Sequence, residues 1–383
     1  MRLAVSAGEH SGDQLGAALV GALREQQQSL ELIGVAGPEL LAAGVEPLAS
    51  MDELGVMGLF EVIGHLPRLS RLRSRLRRQI LDRRVDAFIG IDAPDFNLGL
   101  ARRIRRAGVP AIQLVAPSVW AWRQYRIAKI ARSLDLLLTL FPFEPALFQR
   151  AGLDARFIGH PLADVLPFKP DRAAARAELS LAPDATVVAL LPGSRDGELA
   201  LHAQRVSEVG RRLIDENGVQ VLLLLAEARH RRIFEQFSGA DPEQQGFRLL
   251  TGQTRRGLAA ADVALAASGT VTLEALLTKT PMVVFYCLAA STYRMARMFR
   301  LVKSRWISLP NVLANASLVP ERIQHAASTD QLLADVRDWL DRPARVAEFQ
   351  RRALEIHHAL ACNAAQTAAG IILERIGRPR GHS

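Results

Sequence analysis

The strongest constraint on the fold is a stretch in which an apolar strand passes through a glycine turn into a helix. The run from Thr186 to Leu191 is apolar and rich in β-branched residues, which predicts a buried strand. Pro192-Gly-Ser-Arg195 follows, and the polar residues after it predict the start of a helix. A strand–turn–helix unit leaves unpaired amide N–H groups at the turn, where an anion binds well. The alternative is an ordinary connection that carries a surface arginine.

The size and composition of the chain indicate a globular protein with two domains. At 383 residues it is longer than one hydrophobic core usually supports. Two cysteines, far apart in the sequence, argue against a disulfide framework and favour a reducing cytoplasm. The chain shows no signal-peptide pattern and no apolar run long enough to span a bilayer. We therefore expect a cytoplasmic protein that can touch a membrane without crossing it.

The chain is basic, with a formal net charge of +9 and a pI of about 10.4. Three kinds of partner would explain such a charge: nucleic acid, an anionic membrane surface or an anionic substrate. The location of the basic residues separates these alternatives better than the total charge does.

Many of the arginines lie in one amphipathic segment. Val56 to Ile63 is an apolar stretch with glycines, in which Met57 and Phe60 are candidate lipid contacts. The helix predicted after it has leucines and an isoleucine near one face and six arginines on much of the rest: Leu66, Leu69, Leu72, Leu76 and Ile80, with Arg68, Arg71, Arg73, Arg75, Arg77 and Arg78. This pattern favours an anionic membrane interface. The alternative is a helix packed on the core with a solvated basic face, and nucleic acid is disfavoured because no aromatic residues alternate with the arginines.

Acidic residues follow an apolar strand in the first half. The strand predicted from Ala87 to Ile91 is followed directly by Asp92, and then by Pro94 and Asp95. Polar groups at the carboxyl ends of parallel strands open into the crevice where such sheets bind ligands. A carboxylate there can accept a proton from an attacking hydroxyl, so Asp92 is the candidate base and Asp95 the second candidate. As an alternative, either one caps the following helix.

Two further strand ends in the first half offer candidate substrate contacts. Ser11 lies in the glycine-rich turn after the first predicted strand, a position where α/β sheets build ligand sites. Ser118, Trp120 and Trp122 follow a later strand, and the two rings either fill the core or form an apolar wall for an amphipathic substrate.

The second half repeats the strand–turn–helix pattern. Ser268-Gly269-Thr270 offers amide and hydroxyl donors for a diphosphate, in addition to those of Gly193, Ser194 and Arg195. Glu274 follows one turn later and is placed to accept hydrogen bonds from a ribose diol, or else to interact with the helix dipole. The segment that ends at Asn311 returns toward the same crevice, so Asn311 is a further candidate donor contact.

Taken together, these stretches resemble the lipid-A-disaccharide synthase family of glycosyltransferases. The matching pieces run in family order through both halves of the chain: Gly8–Asp13, Gly90–Asn97, Pro117–Arg123, Pro142–Glu144, Phe157–His160, Leu191–Arg195, Ser268–Thr270 with Glu274, and Ser308–Asn311. Two departures stand out. His10 occupies a position where a small residue is commoner, and the residues after Asn311 lack the Gly-Arg pair that relatives usually carry.

The resemblance implies a GT-B fold, in which two Rossmann-like, doubly wound α/β domains face a cleft. The expected division is an acceptor and membrane-facing domain over 1–168, a UDP-sugar donor domain over 169–345, and a helical segment over 346–383 that packs back on the first domain.

The reaction implied by the resemblance joins UDP-2,3-diacylglucosamine to 2,3-diacylglucosamine 1-phosphate (lipid X) and releases UDP. It is inverting and uses neither a metal nor a cofactor. The resemblance also implies a peripheral enzyme at the inner face of the inner membrane, allows a homodimer, and gives no nucleic-acid partner. The rival within enzymes is a UDP-N-acetylglucosamine 2-epimerase, which shares the two-domain plan.

Overall fold

A computed structural model describes residues 1–54, 62–119, 124–216, 219–288 and 305–377 of the chain. Within it the chain divides into two compact units. The first unit contains Met1–Asp164 together with Leu360–Ser383, and the second contains Val165–Ala359.

The first unit is built on a parallel sheet of seven strands in the order β3-β2-β1-β4-β5-β6-β7. The strands of the described part are β1 Arg2–Ala7, β2 Glu31–Ala36, β3 Glu46–Ser50, β4 Ala87–Ile91, β5 Ala111–Leu114, β6 Leu136–Thr139 and β7 Ala155–Phe157. Strands β1, β4, β5 and β6 are almost wholly apolar and buried, which is typical of parallel strands covered on both faces.

Helices cover both faces of this sheet. They are α1 His10–Gln26, α2 Pro38–Ala42, α3 Val62–Asp82, α4 Pro94–Arg105, α5 Ile127–Ala131, α6 Glu144–Gln149, α7 Pro161–Val165 and the last helix, Ala364–Gly377. One core layer joins the sheet to α1 and to the last helix, and the other joins it to α3 and α4. The last helix packs against α1, where the Gln26 side chain donates to the Gln366 carbonyl at 3.2 Å.

The second unit repeats the plan with a parallel sheet of six strands in the order β10-β9-β8-β11-β12-β13. Its described strands are β8 Thr186–Leu191, β9 Val219–Leu225, β10 Arg248–Thr251, β11 Val263–Ala267, β12 Met282–Tyr286 and β13 Glu321–Ile323. Its described helices are α8 Arg172–Glu178, α9 Asp196–Ile214, α10 Arg229–Ser238, α11 Thr254–Ala260, α12 Val271–Leu277, Leu309–Ala314, Thr329–Leu340 and Pro343–Leu360. The order places β8 beside β11, so the turns that follow these two strands lie at the same edge of the sheet.

The boundaries of the units differ from those expected from the sequence. The chain passes from the first unit to the second between residues 164 and 165, rather than between 168 and 169. It returns to the first unit between residues 359 and 360, rather than between 345 and 346. The second difference arises because helix Pro343–Leu360 stays with the second unit, where the Phe349 ring lies 5.6 Å from the buried Trp339 ring. Of the segment 346–383, only the part from Leu360 onward belongs to the first unit.

Helix α3 has the amphipathic pattern that its sequence suggests. Leu69, Leu72, Leu76 and Ile80 are buried in the core of the first unit, whereas Arg68, Arg71, Arg75, Arg77 and Arg78 are exposed. From Leu69 onward the apolar face of the helix is therefore occupied by the protein's own core, and these five arginines are open to solvent. No helix in the described part of the chain combines the length and hydropathy needed to cross a membrane.

Candidate active site

A cavity of about 270 Å³ in the second unit brings together most of the predicted donor contacts. It lies at the carboxyl ends of β8 and β11, where parallel α/β sheets bind ligands. Seven of the eight predicted donor residues line it: Gly193, Ser194, Arg195, Ser268, Gly269, Thr270 and Glu274. Segments about 75 residues apart in sequence thus form one concave surface, because β8 and β11 are direct neighbours in the sheet.

The turn between β8 and α9 is shaped to present backbone amides. Gly193 has φ of +128°, a left-handed conformation that residues with a side chain rarely adopt. A Cβ at this position would lie 3.2 Å from the Cβ of Glu198. Helix α9 begins at Asp196, and its N-cap residue, Arg195, makes no capping hydrogen bond with its side chain. The first amides of this 19-residue helix and its positive dipole end thus lie next to Gly193, Ser194 and Arg195, which line the cavity.

His202 stabilises this turn through hydrogen bonds to the backbone. It is buried, and its Nδ1 lies 2.7 Å from the carbonyl oxygen of Pro192. The amide of Cys287 donates to Nε2 at 3.1 Å, so the proton resides on Nδ1 and is donated to Pro192. Burial lowers the pKa of His202, which keeps the ring neutral and this arrangement intact near neutral pH. Reasoning from the sequence missed His202, because its partners lie 10 and 85 residues away.

Arg195 extends from the turn with most of its side chain accessible. Its side chain is 80% exposed, and Nη1 lies 2.8 Å from Oε1 of Glu198. The same Glu198 oxygen accepts a hydrogen bond from the Tyr286 hydroxyl at 3.1 Å. Burial, followed by the negative charge of Glu198, raises the pKa of Tyr286 to about 12, so this hydroxyl remains a donor. Glu198 thus links the arginine to β12, a role that no pattern in the sequence indicates.

The opposite wall of the cavity carries hydroxyls and a carboxylate. The Ser268 hydroxyl donates to the Ile307 carbonyl at 2.8 Å. Glu274 is largely buried, and burial raises its pKa, while Arg255, whose Nε lies 3.8 Å away, opposes that shift. A half-buried carboxylate at a cavity wall can accept hydrogen bonds from a diol.

Asn311 is the one predicted donor contact that the structure does not place on the cavity wall. It is buried, and its Nδ2 donates to the Val319 carbonyl at 3.0 Å and to Oε1 of Glu321 at 2.8 Å. Its Oδ1 accepts from the Val319 amide at 2.8 Å. The Glu321 carboxylate also accepts from the amides of Ile307 and Ser308, both at 2.9 Å. Asn311 therefore anchors the segment that supports Ser268.

In the first unit, Asp92 lies immediately after β4 in a strained conformation. Both Asp92 and Ala93 have positive φ, 50° and 40°, and α4 begins one residue later. This conformation is costly for most residues, although aspartate tolerates it better than most. Burial raises the pKa of Asp92, and hydrogen bonds from the Ala93 amide and the Ser11 hydroxyl act against the rise. The Ser11 Oγ lies 3.4 Å from Oδ2 of Asp92, so the two candidates are neighbours.

Two buried amides maintain this conformation. The Asn97 Nδ2 and the Gln113 Nε2 both donate to the backbone oxygen of Asp92, each at 2.9 Å. Asn97 also bonds with Ser6, accepting from its hydroxyl at 2.8 Å and donating to its carbonyl at 3.0 Å. Both amides bind the backbone of Asp92, so neither of them occupies its carboxylate. Asn97 belongs to the motif identified in the sequence, whereas Gln113 in the middle of β5 gave no sequence signal.

Asp95 has different surroundings from Asp92. Its side chain is 75% exposed, and its Oδ1 lies 2.5 Å from Nη2 of Arg126. One carboxylate oxygen is therefore occupied by a guanidinium, and the rest of the side chain faces solvent. The geometry favours Asp92 over Asp95 as the base.

The remaining acceptor candidates are only partly described. Ser118 is exposed at the end of the segment after β5. Met57, Phe60, Trp120 and Trp122 lie outside the described residues. Within those residues, no three His, Cys, Asp or Glu side chains are grouped so as to hold a metal ion.

Two buried titratable groups lie near the ends of β6 and β7. Glu144 accepts a hydrogen bond from the Phe141 amide at 3.1 Å, and burial raises its pKa to about 8. Burial lowers the pKa of His160 to about 4, and its Nδ1 accepts from the Leu162 amide at 3.2 Å. The Phe141 ring lies 5.4 Å from the His160 ring. Both groups are thus expected to be neutral near pH 7 and to stabilise the turn after β6.

The class of this protein follows from its two parallel-sheet units. One unit has a turn that can bind an anion, and the other has a carboxylate at the end of a strand. Its fold is the GT-B fold, as predicted, and solved structures with that architecture cover nearly the whole chain. A UDP-GlcNAc 2-epimerase from Neisseria meningitidis bound to UDP-GlcNAc matches with a TM-score of 0.66 at 10% identity, over 98% of this chain and 100% of the other. WaaG, a glycosyltransferase of lipopolysaccharide biosynthesis, matches with a TM-score of 0.57 at 12% identity, over 97% and 99%. At such low identities the likeness concerns the fold alone.

The sequence identifies the family within that class. The model of the lipid-A-disaccharide synthetase family matches residues 3–372. The chain is 47% identical over 380 residues to the lipid-A-disaccharide synthase of Pseudomonas aeruginosa (strain UCBPP-PA14), covering 99% of each chain. It is 44% identical over 381 residues to that of Xanthomonas oryzae pv. oryzae (strain MAFF 311018), covering 98% of this chain and 88% of the other. The chain belongs to the lipid-A-disaccharide synthetase family, which confirms the resemblance found in the sequence.

Proposed function

We propose that this protein transfers a diacylglucosamine from UDP-2,3-diacylglucosamine to lipid X and so forms lipid A disaccharide 1-phosphate and UDP. The observation that carries the proposal is the cavity that gathers seven candidate donor contacts in a protein of this family. The donor binds to the second unit, and the acceptor is activated by the first.

The cavity has the chemistry that a sugar nucleotide requires. The diphosphate is an anion, and the amides after Gly193 and the guanidinium of Arg195 are donors suited to it. The Thr270 hydroxyl and the amide of Gly269 supply further donors from the β11 side. Glu274, which lines the same cavity, accepts hydrogen bonds from the ribose hydroxyls.

Departure of UDP builds negative charge on the diphosphate in the transition state. Donors that are already oriented stabilise such charge without reorganisation, which is where the catalytic benefit arises. Arg195 is partly restrained by Glu198, so it is oriented before the substrate arrives. We assign the neutralisation of the leaving group to Arg195 and the turn amides, in a mechanism that uses no metal.

Inversion at the anomeric carbon requires one direct displacement by the acceptor hydroxyl. Asp92 accepts the proton of that hydroxyl as the new bond forms and the bond to UDP breaks. Burial raises its pKa, which makes its carboxylate a stronger base than that of an exposed aspartate. Ser11 orients the carboxylate, and Asn97 and Gln113 hold its backbone.

The acylated substrates place the reaction at a membrane surface, and we assign the protein to the periphery of the inner membrane on its inner face. From Leu69 to Ile80 the apolar side chains of α3 are buried in the core, so we assign this part of the helix an electrostatic contribution through the exposed Arg77 and Arg78. Arg73 does not serve in this way, because its guanidinium binds the backbone oxygens of Asp95 and Phe96.

Flotation with liposomes that contain phosphatidylglycerol tests this membrane contact. The variant Arg77→Glu/Arg78→Glu should float less than the wild type, and Arg150→Glu, a single exposed change outside α3, is the control. Equal flotation of the α3 variant and the wild type would exclude the helix as a contact.

Product analysis tests the reaction itself. The protein is incubated with UDP-2,3-diacylglucosamine and lipid X, and mass spectrometry follows the lipid-soluble products while a coupled assay follows UDP. The proposal predicts equal amounts of disaccharide and UDP, both dependent on lipid X. A 2-epimerised sugar without disaccharide would instead support the epimerase.

A further inference from the structure

A separate cavity of about 330 Å³ in the first unit is lined mainly by positive side chains. It is formed by residues of α3, α4 and α5 and of the segments next to them. Among the described residues its lining contains six cations and one carboxylate, namely Arg73, Arg102, Arg103, Arg106, Arg126 and Lys129, with Asp95. We call it the basic cavity. Neither the donor contacts nor Asp92 lines it.

One wall of the basic cavity is preorganised. Arg73 donates from Nη2 to the Asp95 carbonyl at 2.6 Å and from Nε to the Phe96 carbonyl at 3.2 Å. Its guanidinium carbon lies 4.9 Å from the centre of the Phe96 ring. A Cβ at Gly99 would lie 3.0 Å from the Arg73 Nε, so glycine leaves the space in which this group lies. The arginine is therefore fixed by the protein before any ligand binds.

The other cations are largely uncompensated. The side chains of Arg102, Arg106 and Lys129 are exposed, and none of the three forms an ion pair or hydrogen bond with another side chain in the described ranges. The single carboxylate, that of Asp95, is already paired with Arg126 at 2.5 Å. Burial, and then the charge of the neighbouring Arg103, lowers the pKa of Arg73, so these two cations of the cavity oppose each other. A bound anion would relieve this repulsion.

Favourable interaction with the α4 dipole explains only part of the cluster. Arginines in the last turn of a helix are stabilised by its C-terminal carbonyls, and Arg102 and Arg103 satisfy that condition. The explanation does not extend to Arg73 and Lys129, which reach the same cavity from other helices. Convergent guanidinium groups are the usual recognition element for phosphate, because their forked donors match its oxygens.

We infer that the basic cavity binds a phosphomonoester and that its ligand is the 1-phosphate of the acceptor sugar. The assignment to the acceptor rests on the proposed function. Pro94 lines the cavity, and it follows Asp92 by two residues in the same connection from β4 to α4. The attacking hydroxyl and the 1-phosphate belong to one hexose, so their binding groups must lie within the reach of one sugar.

Calorimetric titration of the full chain with glucosamine 1-phosphate tests the inference without requiring turnover. The test variant is Arg102→Gln/Arg106→Gln, and Lys129→Gln is a second variant in case the first fails to fold. The matched control is Arg84→Gln/Arg150→Gln, which removes two exposed positive charges elsewhere in the same unit. Titration with glucosamine measures the contribution of the phosphate, and inorganic phosphate and phosphatidylglycerol vesicles represent the other sources of a phosphate group.

We expect the wild type and the control to bind glucosamine 1-phosphate at least about ten-fold more tightly than glucosamine, the effect of a charge-assisted contact. The double variant should lose that preference and, in the transferase assay, show a raised KM for lipid X with an unchanged KM for the donor. Equal affinities in the double variant and the control would overturn the inference. So would binding of inorganic phosphate as tight as that of the sugar phosphate, or a defect confined to vesicles. If sugar phosphate binding depends on the cavity but no disaccharide forms, the cavity stands and the proposed function fails.

Discussion

Replacement of Asp92 by asparagine separates a catalytic role of this residue from a structural one. The residue has φ of 50°, a conformation that asparagine also tolerates, and its backbone oxygen keeps the hydrogen bonds from Asn97 and Gln113. The stability of Asp92→Asn should therefore lie within about 0.5 kcal/mol of the wild type. Asp92→Ala has no polar side chain to ease the left-handed conformation and should cost about 1–2 kcal/mol.

The effect of the same replacement on turnover should be much larger. Loss of a positioned general base lowers kcat by about 10²–10⁴-fold. This loss equals about 3–5 kcal/mol of transition-state stabilisation. The assay is UDP release at saturating donor and lipid X, with thermal unfolding measured in parallel. Asp95→Asn is the matched control, and it should lose less than about ten-fold because its carboxylate is exposed and paired with Arg126.

The pH profile adds an independent readout. Burial raises the pKa of Asp92 above its ordinary value of 3.8, so kcat/KM of the wild type should fall on the acid side at a pH above that value. The residual activity of Asp92→Asn should lack this fall. The reasoning is refuted if folded Asp92→Asn keeps more than about a tenth of wild-type kcat, or if Asp95→Asn is the more damaged variant.

Four other changes test the rest of the site. Arg195→Ala should lower kcat/KM by about 10²-fold through loss of a leaving-group contact, and unchanged kcat/KM would remove the phosphate assignment. Gly193→Ala should destabilise the protein by about 1–2 kcal/mol and weaken UDP binding, because φ of +128° and the nearby Glu198 both oppose a side chain. Chemical denaturation measures the loss of stability, and titration with UDP measures the loss of affinity. Asn311→Ala should lower the free energy of unfolding by about 2–4 kcal/mol, because it leaves the buried Val319 amide unpaired. UDP should bind to the folded protein as before. A selective loss of UDP affinity would show that Asn311 is a donor contact after all. Glu144 has a folded-state pKa of about 8 against an ordinary 4.5, so the wild type should lose stability as pH rises from about 4.5 to about 8. The unfolding temperature of Glu144→Gln should not fall with pH over this range. If the unfolding temperatures of the variant and the wild type fall in parallel, the assignment is contradicted.

The sequence predicted those parts of the site that depend on local patterns. Strand, glycine turn and helix start at Gly193 are adjacent in the chain, so their chemistry can be inferred without knowledge of the fold. Asp92 is likewise found from its position at the end of an apolar strand. The fold class and the family followed from the order of several such motifs, and both are confirmed.

Residues that act through long-range contacts could not be found in this way. His202 supports the turn through Pro192 and Cys287, and Gln113 supports Asp92 from the next strand of the sheet. Nothing in their immediate neighbours distinguishes them from ordinary core residues. The pattern of α3 was also ambiguous, because an amphipathic helix that packs on a core and one that lies on a membrane share the same periodicity. The burial of Leu69, Leu72 and their neighbours shows where that face packs, and only the folded structure supplies this information.

Hydrogen exchange of the full chain with and without UDP tests most directly the central claim that the β8 turn and the β11 turn bind the nucleotide. UDP should slow exchange of the amides around Gly193 to Arg195 and around Ser268 to Thr270, while the amides around Asp92 exchange as before. Protection that appears only in the first unit, or nowhere near these two turns, would contradict the account.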